Sequence, residues 1–174
     1  MKKLIALLII LIPFNAGAGE DSETFQNLLK KEWAFRSNEF PNLARQSGDK
    51  EKAGQITHVS EKDQLRRYGY WKQINVELAE ISCEKLAREE CINYRMFKRQ
   101  IHQFLADYET KAYLIPFNSD SAFYTSWTWW GNDADIISAE DYRNYLSRLK
   151  ALPVVMDEYI ELMREGLRTG MTQP

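Results

Sequence analysis

Histidine is scarce in this sequence, which contains only two, His58 and His102. Neither belongs to a His-Glu-x-x-His segment, in which two imidazoles one helical turn apart share a zinc ion and the glutamate serves as base. His58 lies in a polar stretch, and His102 has Lys98 and Ala106 at the positions four residues away. We therefore predict no metal ligand in this chain and interpret both histidines as ordinary surface or core residues.

Other recognisable catalytic signatures are also missing. The sequence has no Gly-x-Ser-x-Gly elbow, no cysteine with a histidine close by, and no glycine-rich loop of the kind that binds phosphates. Carboxylates are plentiful, but they are spread along the chain as on solvated helix faces. We predict no catalytic residue and no cofactor-binding residue.

The sequence also lacks an excess of positive charge. Lys and Arg number 23 against 25 Asp and Glu, which gives a net charge of −2. Without Lys2 and Lys3 the basic residues fall to 21, and the net charge becomes −4. Proteins that bind nucleic acid usually carry a basic surface, so the sequence argues against a nucleic-acid partner.

The one long apolar run lies at the N-terminus. Lys2 and Lys3 precede the apolar residues 4–14, and Ala16-Gly17-Ala18 fits a cleavage site with small residues. This run is shorter than the roughly 20 residues that a membrane-spanning helix needs. We predict a signal peptide over residues 1–18, a helical domain over 19–174, and export to the periplasm or the extracellular space. No stable membrane span would remain after cleavage; a retained N-terminal anchor is the alternative.

Only two cysteines are present, Cys83 and Cys91. In an oxidising compartment they could pair. On one continuous helix, however, eight residues rise about 12 Å, which is too far for a disulfide. A disulfide between Cys83 and Cys91 therefore requires a helix break near residues 83–85, and two free or buried thiols are the alternative.

Apolar residues recur every three or four positions in four segments, and no alternating pattern long enough for a strand is present. The first helix is predicted over residues 22–46, with a new turn or a kink at Pro41. The second begins after Ser60, and the third follows Cys83 and ends before Pro116.

The last predicted helix begins at Ser138, which has Asp141 three residues later, the spacing of a capping box. Pro153 should kink this helix or divide it in two. The predicted fold class is all-α, with four or more long helices in an antiparallel, bundle-like array and one aromatic-rich loop. The apolar faces predicted for the four long helices contain, in chain order, the following residues: Phe25, Leu28, Leu29, Trp33 and Phe40; Leu65, Tyr68, Trp71, Ile74, Leu78 and Ile81; Ile92, Phe97, Ile101, Phe104, Leu105, Tyr108 and Ala112; Tyr142, Tyr145, Leu149, Leu152, Met156, Tyr159 and Met163.

The segment 118–130 combines polar turn residues with several large aromatic residues. We interpret it as a loop that lines a binding cleft, with amide and carboxylate groups orienting a ligand and rings packing on it. The alternative is an Asx-type turn followed by aromatic core residues. The candidate cleft residues are Asn118, Ser119, Asp120, Tyr124 and Trp127.

Four segments, in this order and spacing, resemble one bacterial family: residues 91–97, 113–123, 141–149 and 163–174. The family is called domain of unknown function 885, and its members are long, mostly helical proteins similar to gluzincin-type zinc metallopeptidases. The resemblance covers only the front part of a typical member, and the family's His-Glu-x-x-His helix lies far downstream. No zinc ligand or catalytic base carries over to this chain, and zinc is expected only in full-length relatives.

What the resemblance implies is a scaffold: helices that form one wall or roof of a peptidase-like cleft, with the 118–127 loop facing substrate. We expect a truncated product of a peptidase-like gene, exported and inactive alone, whose partners are a peptide substrate or the missing C-terminal part. A self-sufficient periplasmic helical binding or interaction module is the alternative. A complete small hydrolase is a third possibility, and we expect no zinc-dependent peptide cleavage by the chain.

Overall fold

The computed structural model describes residues 19–118, 121–130 and 136–173. The predicted signal peptide, residues 1–18, lies outside the described residues. No helix in the described part of the chain is both long and apolar enough to cross a membrane.

Five α-helices and three short 3-10 helices make up the described structure. The α-helices are α1 (Glu20–Glu39), α2 (Pro41–Gln46), α3 (Glu61–Ala79), α4 (Arg88–Glu109) and α5 (Ala139–Thr169). The 3-10 helices are Cys83–Lys85, Ala112–Leu114 and Thr125–Trp129. Within the described ranges no β-strand forms, and extended pairing is limited to one isolated bridge between Phe117 and Ala122. The predicted all-α class is confirmed.

Local sequence signals set several helix ends. The first predicted helix is two helices, because α1 ends at Glu39 and Pro41 occupies the first position of α2. Proline suits that position since its missing N–H has no partner there anyway. Ser60 caps α3: its side-chain oxygen accepts a hydrogen bond from the Asp63 backbone N–H at 3.3 Å.

The ends of α5 follow the sequence closely. Ser138 and Asp141 form the predicted capping box, and Gly170 ends the helix with a φ of 77°, a conformation that glycine adopts without strain. The backbone N–H of Met171 then bonds to the Gly166 carbonyl at 2.8 Å, as in a Schellman motif. The predicted division at Pro153 is wrong, because α5 is continuous through it. Pro153 is exposed, so solvent can hydrate the Leu149 carbonyl that lacks its usual donor.

The helices α1, α3 and α4 form an antiparallel three-helix bundle. The Tyr94 hydroxyl donates to the Leu78 carbonyl near one end of the α3–α4 pair, and Tyr68 bonds to Glu109 near the other. This pairing of late with early residues shows that α3 and α4 run in opposite directions. The bundle core contains Phe25 and Leu28 of α1, Trp71, Ile74 and Leu78 of α3, Tyr94, Phe97, Ile101 and Leu105 of α4, and Ile81 and Leu86 between α3 and α4.

A second core lies where α5 packs on the connecting loops. Glu158 of α5 accepts a hydrogen bond from the Val59 backbone N–H at 2.8 Å, and the Arg148 guanidinium donates to the Ala53 carbonyl. These bonds attach the loop before α3 to α5. The buried members of this second core are Ile56, Val59, Leu114, Trp130, Val155 and Leu162.

Some residues on the predicted apolar faces are exposed. Leu65 is 55% exposed, and Ile92 is also exposed. On α5 the predicted face is displaced by about one position, since the buried residues are Arg148, Val155, Leu162 and Gly166. Packing against the loops therefore selects a face of α5 that includes an arginine and a glycine.

The two cysteines form a disulfide in the structure, with their Cα atoms 5.0 Å apart. Cys83 lies in a 3-10 helix, whereas Cys91 lies in the first turn of α4. The helix break that this pairing requires is therefore present between the two residues. The disulfide links the start of α4 to the connection that follows α3.

Candidate binding cavity

A cavity of about 610 Å³ lies between the bundle core and the second core. Its volume falls within the range of about 300–1,000 Å³ that is typical of small-molecule sites. Nine aromatic side chains line it: Phe40, Tyr68, Trp71, Phe104, Tyr108, Tyr113, Phe123, Trp127 and Tyr159. We call it the aromatic cavity.

Contacts between aromatic rings join the elements that line the aromatic cavity. Trp71 and Phe104 have their ring centroids 4.3 Å apart, which joins α3 to α4. On the opposite core, Phe123 and Tyr159 stack at 3.9 Å and join the aromatic loop to α5. Each ring pair therefore fixes two elements of the cavity wall relative to one another.

Arg67 is the buried cation on this cavity and is 3% exposed. Its Nε donates to Glu39 Oε2 at 2.9 Å, and its Nη2 donates to the His58 carbonyl at 2.6 Å. The guanidinium also lies over the Phe40 ring, 4.6 Å from its centroid. Burial lowers the pKa of Arg67, whereas the Glu39 carboxylate raises it. Arg67 thus ties α3 to the end of α1 and to the loop before α3.

The remaining polar groups on the lining are few. Asn42, Thr57, Gln64 and Asp107 contribute amide, hydroxyl and carboxylate groups. The Gln64 amide donates to the Val59 carbonyl at 3.3 Å. An apolar wall with a few hydrogen-bonding groups can hold aromatic or aliphatic side chains and orient a peptide bond.

The structure describes three of the five predicted cleft residues, and they have different surroundings. Trp127 lines the aromatic cavity, whereas Tyr124 is half-exposed outside its lining. Asn118 is exposed, and its Oδ1 accepts a hydrogen bond from the Ser121 backbone N–H at 2.8 Å. Ser119 and Asp120 lie outside the described residues. The role of these five residues in a cleft stays a prediction.

Both histidines are exposed and have protein partners. His58 Nδ1 lies 2.7 Å from Glu158 Oε1, and His102 Nε2 lies 3.1 Å from Asn75 Oδ1. Among the residues that the structure describes, no group of three or more His, Cys, Asp or Glu side chains could hold a metal ion.

Sequence reasoning missed Arg67, Trp71 and Tyr159 as cavity residues. Trp71 and Tyr159 lie on predicted apolar faces, so periodicity indicated a core position and not a cavity wall. In the sequence Arg67 is one of many interspersed charges, a pattern typical of a solvated helix surface. A weak signal was available, since Arg67 is four residues before Trp71 and therefore lies on its face of α3.

The geometry defines an all-α chain with an aromatic cavity between two small cores. A family model described as bacterial protein of unknown function (DUF885) matches residues 41–174. The chain therefore belongs to this family, as the resemblance predicted. The match begins at α2, so α1 precedes it although α1 supplies part of the bundle core. Neither the curated proteins nor the solved structures gave a match.

Proposed function

We propose that this chain is exported and forms a helical scaffold, one wall of a zinc-peptidase-like cleft, without catalytic activity of its own. Family membership supports the scaffold through the gluzincin-like character that the sequence resemblance implies for this family. The N-terminal pattern of residues 1–18 supports export. The observation that carries the proposal is a second apolar stripe on α5.

The outward stripe of α5 consists of Leu149, Met156, Ile160 and Leu167, all exposed. Pro153 and Met163 fill the intervening positions, so apolar residues recur every three or four residues along one face. This outward stripe lies beside the buried one and extends over roughly 27 Å at 1.5 Å per residue. Leu167, near its end, is 72% exposed.

Single exposed apolar residues are normal, but a continuous stripe of them marks a surface that another element covers. In the scaffold proposal, further helices of the larger peptidase-like fold pack on the outward stripe. The aromatic cavity, to which Tyr159 of α5 contributes, then forms part of the substrate cleft. Peptide side chains suit its aromatic lining.

The outward stripe predicts that the purified chain binds an apolar dye such as anilinonaphthalene sulfonate. Replacing Met156, Ile160 and Leu167 together by glutamine should remove most of the dye fluorescence. The melting temperature should stay unchanged, because these side chains support no core in this chain. Dye fluorescence and thermal unfolding by circular dichroism measure the two effects.

A matched control replaces the exposed apolar residues Leu65 and Val76 of α3 by glutamine. This double variant should keep the dye fluorescence of the wild type. Equal dye loss in both variants would contradict a specific role of the outward stripe. Zinc-dependent peptide hydrolysis by the wild-type chain alone would contradict the inactive scaffold.

The aromatic cavity favours a second candidate function, a self-sufficient periplasmic helical module that binds a peptide. Such a module should bind short apolar peptides, and Trp127→Ala should weaken binding about tenfold through loss of one buried ring contact. Isothermal titration with a pool of aromatic hexapeptides measures the affinity. Trp33→Ala is the control, because Trp33 is exposed on α1 and lies outside the cavity lining. Absence of binding by the wild type would eliminate this module.

A further inference from the structure

A second cavity, of about 430 Å³, lies between the loop that follows α2 and the first half of α5. Arg45, Lys50, Trp130, Asn144 and Arg148 contribute to its lining. We call it the basic cavity. It is separate from the aromatic cavity, and the two share no lining residue.

Arg148 is 6% exposed and has no carboxylate partner among the residues that the structure describes. Its Nη1 donates to the Ala53 carbonyl, whereas its Nε is buried without a hydrogen-bond acceptor. The other buried arginine, Arg67, has Glu39 as its counterion. Burying a guanidinium without an anion lowers the stability of the fold. Arg148 therefore requires another group that compensates its charge.

Two aromatic rings compensate part of this charge. The guanidinium carbon of Arg148 lies 5.6 Å from the Trp130 ring centroid and 5.7 Å from that of Tyr145. Cation–π attraction of this kind stabilises a cation but does not satisfy its N–H donors. Nε remains buried without an acceptor, and the hydrogen bond that the guanidinium makes within the described residues is that of Nη1 to Ala53.

The surroundings add positive charge. Burial lowers the pKa of Arg148, and the nearby Arg45 lowers it further. The lining also contains two carboxylates, but both bond to backbone N–H groups. Asp49 accepts from Glu51 at 2.9 Å, and Asp141 accepts from Ser138 at 2.8 Å. Neither neutralises Arg148 by a direct ion pair.

We propose that the basic cavity binds a small oxyanion, a phosphate or carboxylate group, on the Nε–Nη2 edge of Arg148. Arg45 and Lys50 supply the remaining positive charge. The paired N–H groups of this edge match two oxygens of either anion. The site goes beyond the proposed scaffold function, because neither a peptide in the aromatic cavity nor a covered outward stripe requires it.

Thermal unfolding of the purified chain tests the site with inorganic phosphate and with acetate, each against potassium chloride at equal ionic strength. A bound anion should raise the wild-type melting temperature by about 3 °C when its concentration is about ten times its Kd. A rise with both anions identifies an oxyanion site of general type, and a rise with phosphate alone identifies a phosphate site. No rise beyond that in chloride would overturn the proposal.

Variants test whether the anion-dependent rise in melting temperature originates in the basic cavity. Arg148→Met should abolish the anion-dependent rise, and the double variant Arg45→Gln, Lys50→Gln should weaken apparent binding by about tenfold. The double variant leaves Arg148 in place and so remains informative if Arg148→Met unfolds. Arg143→Met, at an exposed position of the same helix, is the control and should keep the wild-type rise. An unchanged rise in the double variant would also overturn the proposal.

Discussion

Replacing Glu39 by alanine is expected to lower the free energy of unfolding by about 3–5 kcal/mol, because the buried Arg67 loses its carboxylate partner. Arg67 would keep its hydrogen bond to the His58 carbonyl but would carry an uncompensated charge away from water. Urea unfolding followed by far-ultraviolet circular dichroism measures the loss, with the denaturant slope checked for two-state behaviour.

The control is a substitution of Arg66, the second arginine that Glu39 binds. Glu39 also binds Arg66, whose Nη2 lies 2.6 Å from Glu39 Oε2, but the Arg66 side chain is 44% exposed, against 4% for that of Arg67. Arg66→Ala should therefore cost less than about 1 kcal/mol, as exposed ion pairs do. Similar losses for Glu39→Ala and Arg66→Ala would show that burial of Arg67 does not govern the energetics of this cluster.

Phe25→Ala is expected to destabilise the chain by about 3–5 kcal/mol through loss of apolar burial and creation of a cavity. Phe25 is fully buried in the bundle core, with its ring centroid 5.8 Å from that of Tyr94 and 6.3 Å from that of Phe97. Chemical denaturation measures the change. The result would also show that α1, which precedes the family match, is required for the bundle.

The control for this prediction is Val76→Ala on α3, where the side chain is 63% exposed. This change should alter the free energy of unfolding by roughly 0.5 kcal/mol or less, as surface substitutions usually do. If Phe25→Ala were equally mild, α1 would have to be only loosely packed on α3 and α4. The bundle would then consist of two helices and not three.

Local chemistry made the helix ends predictable from sequence. The Ser60 and Ser138 caps and the start of α2 at Pro41 depend on residues within four positions of one another. Their geometry is therefore decided before distant segments pack. Only the predicted division at Pro153 is wrong, because the rest of a long helix maintains the α-conformation on both sides of one missing hydrogen bond, whereas a kink there stays a prediction.

Features that depend on packing between distant segments could not be predicted from the sequence. On α5 two adjacent apolar stripes compete for the core, and periodicity cannot tell which one the loops will cover. The burial of Arg148 depends on Ala53 and Trp130, which are distant in sequence. The aromatic cavity likewise combines Trp71 and Tyr159, which are 88 positions apart. Such sites arise only when separate segments meet.

The disulfide between Cys83 and Cys91 has a consequence for how the chain matures. With two cysteines in the sequence, intramolecular oxidation has one possible product, whereas four cysteines would allow three. Both sulfurs belong to neighbouring turns of one helical hairpin, so the thiols can meet as soon as this hairpin has formed. Oxidation of these two thiols therefore needs an electron acceptor, and no wrong pair within this sequence has to be exchanged.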